Sequence, residues 1–267
     1  MESLSNENQS DAPSYEIIVT DDSSSDVCRA LVENHFPNVD WGKGKQNGPA
    51  GNRNSGVARA HGEWIVFIDD DCIAQPGYLY AYATTIKKNP SLGVLEGRIF
   101  PDRPRKTWAE GCPANEVGNM FWTSNLCVKK SLFIELGGLD ECFEVAFEDV
   151  DFAYRLSKTS TSTTFVHGAA VCHPWRGLRS GGNNWKRNGY ELESLALFLE
   201  KHPDACSSYG SVIKCLRNFC RIMTKDLSFC LFNLHGRGID VLFVQALNTL
   251  RTAIYILKLP KQQYSKT

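Results

Sequence analysis

The stretch Glu63–Gly77, EWIVFIDDDCIAQPG, places three consecutive carboxylates directly after an unbroken apolar run. The run Trp64–Ile68 has the length and composition of a buried strand, and Asp69, Asp70 and Asp71 follow it at once. Neighbouring carboxylates repel one another and resist burial unless a cation or hydrogen-bond donors compensate them. The stretch therefore predicts a cation site at a strand end, and a solvated acidic turn is the alternative.

Similar patterns along the chain predict strands that alternate with helices. Tyr15–Thr20 (YEIIVT) predicts a strand that runs into the acidic turn DDSSSD, and Val27–Asn34 predicts the helix after it. A Gly- and Asn-rich loop follows, after which Ser55 is a predicted helix N-cap. Gly77–Asn89 then predicts a helix and Gly93–Phe100 a strand. This alternation is typical of an α/β protein with a mostly parallel sheet flanked by helices, in which ligands bind at the carboxyl ends of the strands.

Composition narrows the function classes. The chain has 267 residues, 42% of them hydrophobic, and a net charge of −1, so nothing in its charge favours a nucleic-acid partner. Its ten cysteines contain no C-x-x-C pair, which argues against a zinc ribbon or a thioredoxin motif. The N-terminus is polar and no segment has the pattern of a signal peptide or a transmembrane helix, so we predict a cytoplasmic protein.

Two further motifs carry polar groups that suit catalysis. Glu148 and Asp149 begin a predicted helix, where carboxylates are favoured by the helix dipole, and one of them in a cleft could accept a proton from a hydroxyl. His173 ends a predicted strand in VCHPW and could add an imidazole to a metal site. On spacing alone, an acidic helix start and a structural histidine explain these residues equally well or better.

Taken in order, the motifs resemble those of one family. The chain is similar to family 2 glycosyltransferases of the GT-A fold over roughly Glu2–Pro203, and the resemblance is carried by these segments: EIIVTDDSSSD, GPAGNRNSGVARAHGEWIVFIDDDCIAQPG, SNLCVKKSLFIELGGLDECFEVAFEDVDFAYRL and VCHPW. Members are mostly inverting enzymes that move a sugar from a nucleotide diphosphate to an acceptor hydroxyl. The resemblance implies the same reaction here, in the synthesis of a glycan, a polysaccharide or a lipid-linked saccharide.

The resemblance also assigns roles to individual residues. Donor contacts fall on side chains at the strand ends and before the acidic run, namely Asp21, Asp22, Arg53, Asn54, Asp69 and Asp70. The D-x-D and the later histidine imply a Mn²⁺ or Mg²⁺ site at Asp69, Asp71 and His173. The E-D pair implies Asp149 as the general base, beside Glu148. The acceptor side is implied at Trp122 and Asn125, although an aromatic residue there also suits the core.

The N-terminal end of the chain departs from the family pattern, and the C-terminal end adds helices to it. The N-terminal residues, MESLSNENQSDAPSYEIIV, lead into what matches the family's second strand, so we expect the first β-α unit to be absent and a central sheet strand to be missing. Residues 1–203 are predicted to form the transferase domain and residues 204–267 a helical extension. Basic amphipathic helices in that extension predict packing on the domain, or peripheral contact with the inner face of a membrane.

Two other function classes fit parts of the pattern. The chain could be a non-catalytic remnant that binds a nucleotide sugar or a glycan, which the short N-terminus favours. It could also be a metal-dependent phosphatase with an aspartate nucleophile, because D-x-D after an apolar strand suits that chemistry as well. The G-G-L-D-E, E-D and H-P-W elements favour the transferase.

Overall fold

The computed structural model describes residues 1–107, 110–177, 181–226 and 239–258. The strands are β1 (Ile17–Asp21), β2 (Val39–Lys43), β3 (Trp64–Ile68), β4 (Ile73–Ala74), β5 (Leu92–Pro101), β6 (Glu110–Gly111), β7 (Asn125–Lys129), β8 (Ser162–His173) and β9 (Arg176–Gly177). The α-helices are α1 (Val27–His35), α2 (Pro49–Arg59), α3 (Tyr78–Lys88), α4 (Lys130–Glu135), α5 (Glu148–Ser157), α6 (Gly181–Lys201), α7 (Cys206–Tyr209), α8 (Val212–Arg221) and α9 (Ile239–Lys258).

The predicted α/β architecture is confirmed. The main sheet has five strands in the order β3-β7-β5-β8-β4, and strands β3, β5 and β8 point in one direction while β7 and the two-residue β4 oppose them. Strands β1 and β2 form a separate parallel pair. In the described ladders β1 and β3 are not paired with each other.

Side chains alternate across the main sheet and supply a core on each face. Val94 of β5 belongs to the cluster that contains Phe152 of α5, whereas its neighbour Leu95 belongs to the cluster that contains Tyr78 of α3. The two neighbours belong to different clusters because successive side chains of a strand point to opposite faces. The first cluster also holds residues of α2 and α4. Helices therefore cover both faces of the sheet and leave its strand ends as the place for a polar site.

Helix α2 begins earlier than the sequence predicts. It starts at Pro49, and Ser55 lies inside it and donates its hydroxyl hydrogen bond to the Gly51 carbonyl at 2.8 Å instead of capping the helix. Proline is well suited to the first helical position, because its missing N–H has no partner there in any helix. The prediction that Ser55 starts the helix is wrong, and Arg53 and Asn54 are helical residues rather than loop residues.

The described chain divides into two compact units that interleave along the sequence. The first comprises Met1–Asp102, Pro113–Glu144 and Glu148–Pro174, and the second comprises Arg103–Cys112, Val145–Phe147 and the segment from Trp175 onward. The predicted division at residue 203 stays a prediction. Among the described helices, none combines the length and the hydrophobicity that crossing a bilayer requires.

Candidate nucleotide-sugar site

The carboxylates predicted from the sequence lie at strand ends and at one helix start, all within the first compact unit. Asp21 ends β1, the acidic run Asp69–Asp71 follows β3, His173 ends β8, and Glu148 opens α5. The apolar runs fix these places, because each strand stops where burial of its next side chain would need a charge partner.

Asp71 and His173 lie side by side. The His173 Nε2 atom is 3.3 Å from Asp71 Oδ2, and the ligand atoms of Asp71, Cys72 and His173 all lie within 4.8 Å of one another. The other ring nitrogen, Nδ1, is 2.8 Å from the Pro174 carbonyl oxygen, which can only accept, so Nδ1 carries the hydrogen. A neutral imidazole would then face the carboxylate with a lone pair. A cation between them, or a proton on Nε2, resolves that repulsion.

The chemistry of this donor set fits a divalent cation. Asp71 supplies a carboxylate oxygen and the buried His173 a ring nitrogen, both of which ligate Mn²⁺. The Cys72 thiol donates to the Ser124 carbonyl oxygen at 3.9 Å. Of the residues predicted to bind metal, the structure pairs Asp71 with His173 and places Asp69 elsewhere.

Arg53 joins Asp69 to the acidic start of α5. Its Nη2 atom is 2.9 Å from Asp69 Oδ1, and its Nη1 atom is 3.1 Å from Glu148 Oε1. One guanidinium from α2 thus spans the end of β3 and the first turn of α5. Asp70, between the two partly buried aspartates, is exposed.

The two carboxylates at the start of α5 are hard to ionise. Burial raises the pKa of Glu148, the charge of Asp149 raises it further, and Arg53 opposes the change. Burial likewise raises the pKa of Asp149, whose Oδ1 accepts a hydrogen bond from the Val150 N–H at 2.8 Å. A raised carboxyl pKa brings proton affinity closer to what a general base needs.

The acidic turn after β1 is ordered by local donors. Asp21 is buried, which would raise its pKa, but hydrogen bonds from Ser23 and the charge of Lys43 lower it overall. Its Oδ1 accepts from the Ser23 N–H at 2.8 Å. Asp22 Oδ1 accepts from the Gln46 N–H at 3.0 Å, which fastens the loop after β2 to this turn. Asp21 is therefore held ionised at a strand end, and Asp22 fixes the loop beside it.

Asn54 faces away from Arg53 and holds a different loop. Its amide nitrogen donates to the Leu139 carbonyl at 2.7 Å and its oxygen accepts from the Leu139 N–H at 3.0 Å. The predicted R-N pair is thus divided: Arg53 binds the carboxylates, and Asn54 positions the G-G-L-D-E loop.

The residues predicted for the acceptor side lie partly in the core. Asn125 is buried, its oxygen accepts from the hydroxyls of Tyr78 and Tyr82 at 2.9 and 2.7 Å, and its nitrogen donates to the carbonyls of Arg98 and Ala169 at 2.9 and 3.0 Å. These bonds use both polar atoms of the amide, and through them Asn125 links β7 to α3, β5 and β8.

Trp122, the other residue predicted for the acceptor side, is half-buried and packs on the cluster around Leu95.

One residue at the site escaped sequence reasoning. Glu141 accepts hydrogen bonds from Lys45 at 2.6 Å, Asn47 at 2.9 Å and Asn54 at 3.1 Å, and these donors, Lys45 foremost, lower its pKa. It ties the loop after β2 to the loop before α5. The one sequence signal for Glu141 was its position directly after G-G-L-D. Its three hydrogen-bond partners lie about a hundred positions earlier in the chain, so the local sequence does not predict them.

Strand-end carboxylates around an arginine, on a sheet covered by helices, define a GT-A-type fold, and solved structures agree. The chain superposes on GalNAc-T7, solved with UDP, GalNAc and Mn²⁺, with a TM-score of 0.53 and 14% identity over 92% of this chain and 50% of that one. Residues 1–129 match the profile of Glycosyl transferase family 2, which confirms over this part of the chain the resemblance seen in the motifs.

Curated relatives are glycosyltransferases by name. An uncharacterized glycosyltransferase of Haemophilus influenzae is 28% identical over 62% of this chain and 58% of its own length. The N-acetylglucosaminyl-diphospho-decaprenol L-rhamnosyltransferase of Mycobacterium tuberculosis is 24% identical over 59% of this chain and 66% of its own length. The chain thus spans about three fifths of the length of these two relatives.

Proposed function

We propose that the chain transfers a sugar from a nucleotide-diphosphate donor to an acceptor hydroxyl, with inversion and with a divalent cation. The observation that carries the proposal is the contact of Arg53 with both Asp69 and Glu148. Through this contact a single arginine side chain joins the strand-end carboxylates, which are suited to binding the donor, to the pair Glu148 and Asp149, which is suited to act as a general base.

Each side chain has a role that follows from its surroundings. Asp21 and Asp22 accept hydrogen bonds from the base and ribose of the donor. Asp69 and Arg53 orient the ribose and the diphosphate of the donor, and the exposed Asp70 is a further donor contact beside them. Asp149 takes the proton of the acceptor hydroxyl as the new bond to the anomeric carbon forms and the bond to the diphosphate breaks, which gives inversion in one step.

Asp71 and His173 would hold the cation, and because Mg²⁺ prefers oxygen ligands, the imidazole favours Mn²⁺. When bound, the cation neutralises the charge that develops on the leaving diphosphate. Asp71 and His173 would fix its place, and the hydrogen bond from His173 Nδ1 to the Pro174 carbonyl would leave Nε2 available as the ligand atom.

The acceptor is proposed to be a lipid-linked saccharide or another glycan hydroxyl. The name of the mycobacterial relative specifies a polyprenyl diphosphate acceptor, which supports this class. The product would belong to polysaccharide or glycolipid synthesis.

A thermal-shift screen tests the donor site. The full chain is measured with UDP, GDP, CMP and dTDP and their common sugars, with and without Mn²⁺, beside Asp71→Ala and the exposed Asp11→Ala as a control. We expect a stabilisation by one nucleotide that needs the metal, is lost in Asp71→Ala and persists in Asp11→Ala. Absence of any shift in a folded sample would contradict the proposal.

A product assay separates the remaining classes. A transferase releases nucleoside diphosphate from the stabilising nucleotide sugar when acceptor is added, whereas a phosphatase releases inorganic phosphate from a monoester. Nucleotide-sugar binding without turnover across a panel of polyprenyl diphosphate saccharides would identify a binding remnant instead.

A further inference from the structure

The outer face of α9 carries an apolar stripe that the described protein leaves exposed. Phe243, Leu247, Ile254 and Leu257 are 47%, 52%, 53% and 68% exposed. Their spacings of four, seven and three residues put them on one face of the helix. At about 1.5 Å per residue the stripe is roughly 21 Å long. Large apolar side chains exposed in a row, as opposed to singly, indicate a binding surface.

Helix α8 packs on α9 and adds both apolar and cationic groups. The contact between them is made by Phe219, Ile222, Leu242 and Ala246. Two other apolar residues of α8 are exposed, Ile213 at 63% and Leu216 at 45%.

Cations accompany the exposed apolar residues of α8. Lys214, Arg217 and Arg221 are all exposed, and the sequence of α8 contains no acidic residue. The sequence of α9 has a single acid, Asp240, and ends in the exposed Lys258. The exposed residues of these two helices therefore combine hydrocarbon with positive charge.

We propose that this face, formed by Ile213, Leu216, the α9 stripe and the cations of α8, docks on an anionic lipid surface. Apolar side chains beside lysine and arginine are what an interfacial helix needs, since the hydrocarbon enters the headgroup region while the cations meet lipid phosphates. A second copy of the chain is the poorer partner, because pairing this face with itself would bring like charges together. The docking goes beyond the proposed transfer reaction and is measured without it.

Vesicle flotation with the full chain tests the proposal. The probes are phosphatidylcholine vesicles and mixed phosphatidylcholine–phosphatidylglycerol vesicles at low and high salt. We expect the protein to float with the mixed vesicles at low salt and to bind pure phosphatidylcholine far less. No binding to the mixed vesicles would overturn the proposal. A wild-type chain that is dimeric in solution and does not bind vesicles would assign the face to a second copy and overturn it too.

Matched variants locate the surface. Ile213→Ser should weaken binding several-fold, whereas Ile134→Ser, a residue 61% exposed on α4, should leave it unchanged. The triple variant Lys214→Gln/Arg217→Gln/Arg221→Gln should lower the vesicle partition coefficient about a hundredfold at low salt, since each cation contributes about fivefold. Lys87→Gln/Lys88→Gln in α3 is its control.

Circular dichroism confirms that each variant is folded before flotation. Equal vesicle binding by test and control variants would show that the protein binds lipid through another surface, and would refute the proposal. Because no readout depends on turnover, a chain without transferase activity can still pass this test, and an active chain can fail it.

Discussion

Two buried glutamates, one at the start of β6 and one at the start of α5, have opposite surroundings. The Glu110 carboxylate accepts hydrogen bonds from both terminal nitrogens of Arg103, at 3.2 and 2.7 Å. It also accepts hydrogen bonds from the backbone N–H groups of Lys106 and Thr107. Glu148 meets Arg53 through one bond of 3.1 Å and has Asp149 as a neighbour. The hydrogen bonds of Arg103 are the largest cause that lowers the pKa of Glu110, to about 2, whereas burial raises that of Glu148.

The difference separates a carboxylate that holds the fold from one that can do chemistry. Several donors fix the charge of Glu110 and make a loop rigid. The start of α5 instead keeps carboxylates short of donors, which costs stability and leaves proton affinity available. The same contrast recurs within α5, where Asp151 is almost fully buried but its Oδ2 accepts from Arg155 Nε at 2.7 Å.

The largest expected effect is on catalysis at Asp149. Asp149→Asn should lower kcat about a thousandfold, because it removes the proposed base. It should not lower the melting temperature, because folding already disfavours the charged form of this group. Steady-state kinetics and calorimetry on one preparation measure both. Unchanged kcat with intact folding would assign the base to another residue.

Asp151→Asn is the matched substitution two residues on, with the opposite expected result. It removes the charge partner of Arg155, whose Nη2 also donates to the Gly138 carbonyl at 2.8 Å. The free energy of unfolding should fall by about 3 kcal/mol, as when a buried ion pair loses one member. Urea denaturation gives the value. A loss smaller than that of Asp149→Asn would break the contrast between the two aspartates.

Much of this arrangement could be predicted from the sequence. Apolar runs that stop at acidic residues located β1 and β3, and with them Asp21, Asp22 and Asp69–Asp71. These predictions work because burial of a strand is a local property of five or six residues. The start of α5 followed for the same reason.

The partners of these side chains could not be predicted in the same way. Arg53 reaches Asp69 and Glu148 only because α2 begins at Pro49, and the Gly- and Asn-rich sequence there favours a loop when tertiary packing is ignored. Asn125 has the spacing of an exposed residue after a turn, yet it is buried among groups from three other elements, α3, β5 and β8. Contacts across the fold decide both, and hydrophobic periodicity does not report them.

A smaller loss of stability is expected at Glu110. Glu110→Gln keeps the shape but removes the charge from its hydrogen bonds, which should cost about 2 kcal/mol. Glu116→Gln is the control, since Glu116 pairs with Arg98 with 48% of its side chain exposed, and should cost under about 1 kcal/mol. Chemical denaturation of both variants gives the comparison, and equal losses would remove the special status of Glu110.

The smallest expected effect is the pH dependence of that loss. The folded-state pKa of Glu110 is about 2, below the ordinary value of 4.5, so its stabilisation is complete above pH 4.5 and disappears as the pH falls toward 2. The stability difference between wild type and Glu110→Gln should shrink over that window. Glu148 and Asp149 have the reverse sign, since acidification relieves their burial. A difference that stays constant down to pH 2 would contradict the assignment.

The early start of α2 makes the direction of Arg53 a matter of helical phase. Successive residues of an α-helix are rotated by about 100°. One uncharged residue inserted between Pro49 and Arg53 would therefore turn the guanidinium away from both carboxylates, although the net charge would be unchanged. Insertions in the loop before Pro49 leave that angle as it is. The proline at the start of α2 thus fixes the direction of the Arg53 side chain. Insertions are compatible with the site before Pro49 but not between Pro49 and Arg53.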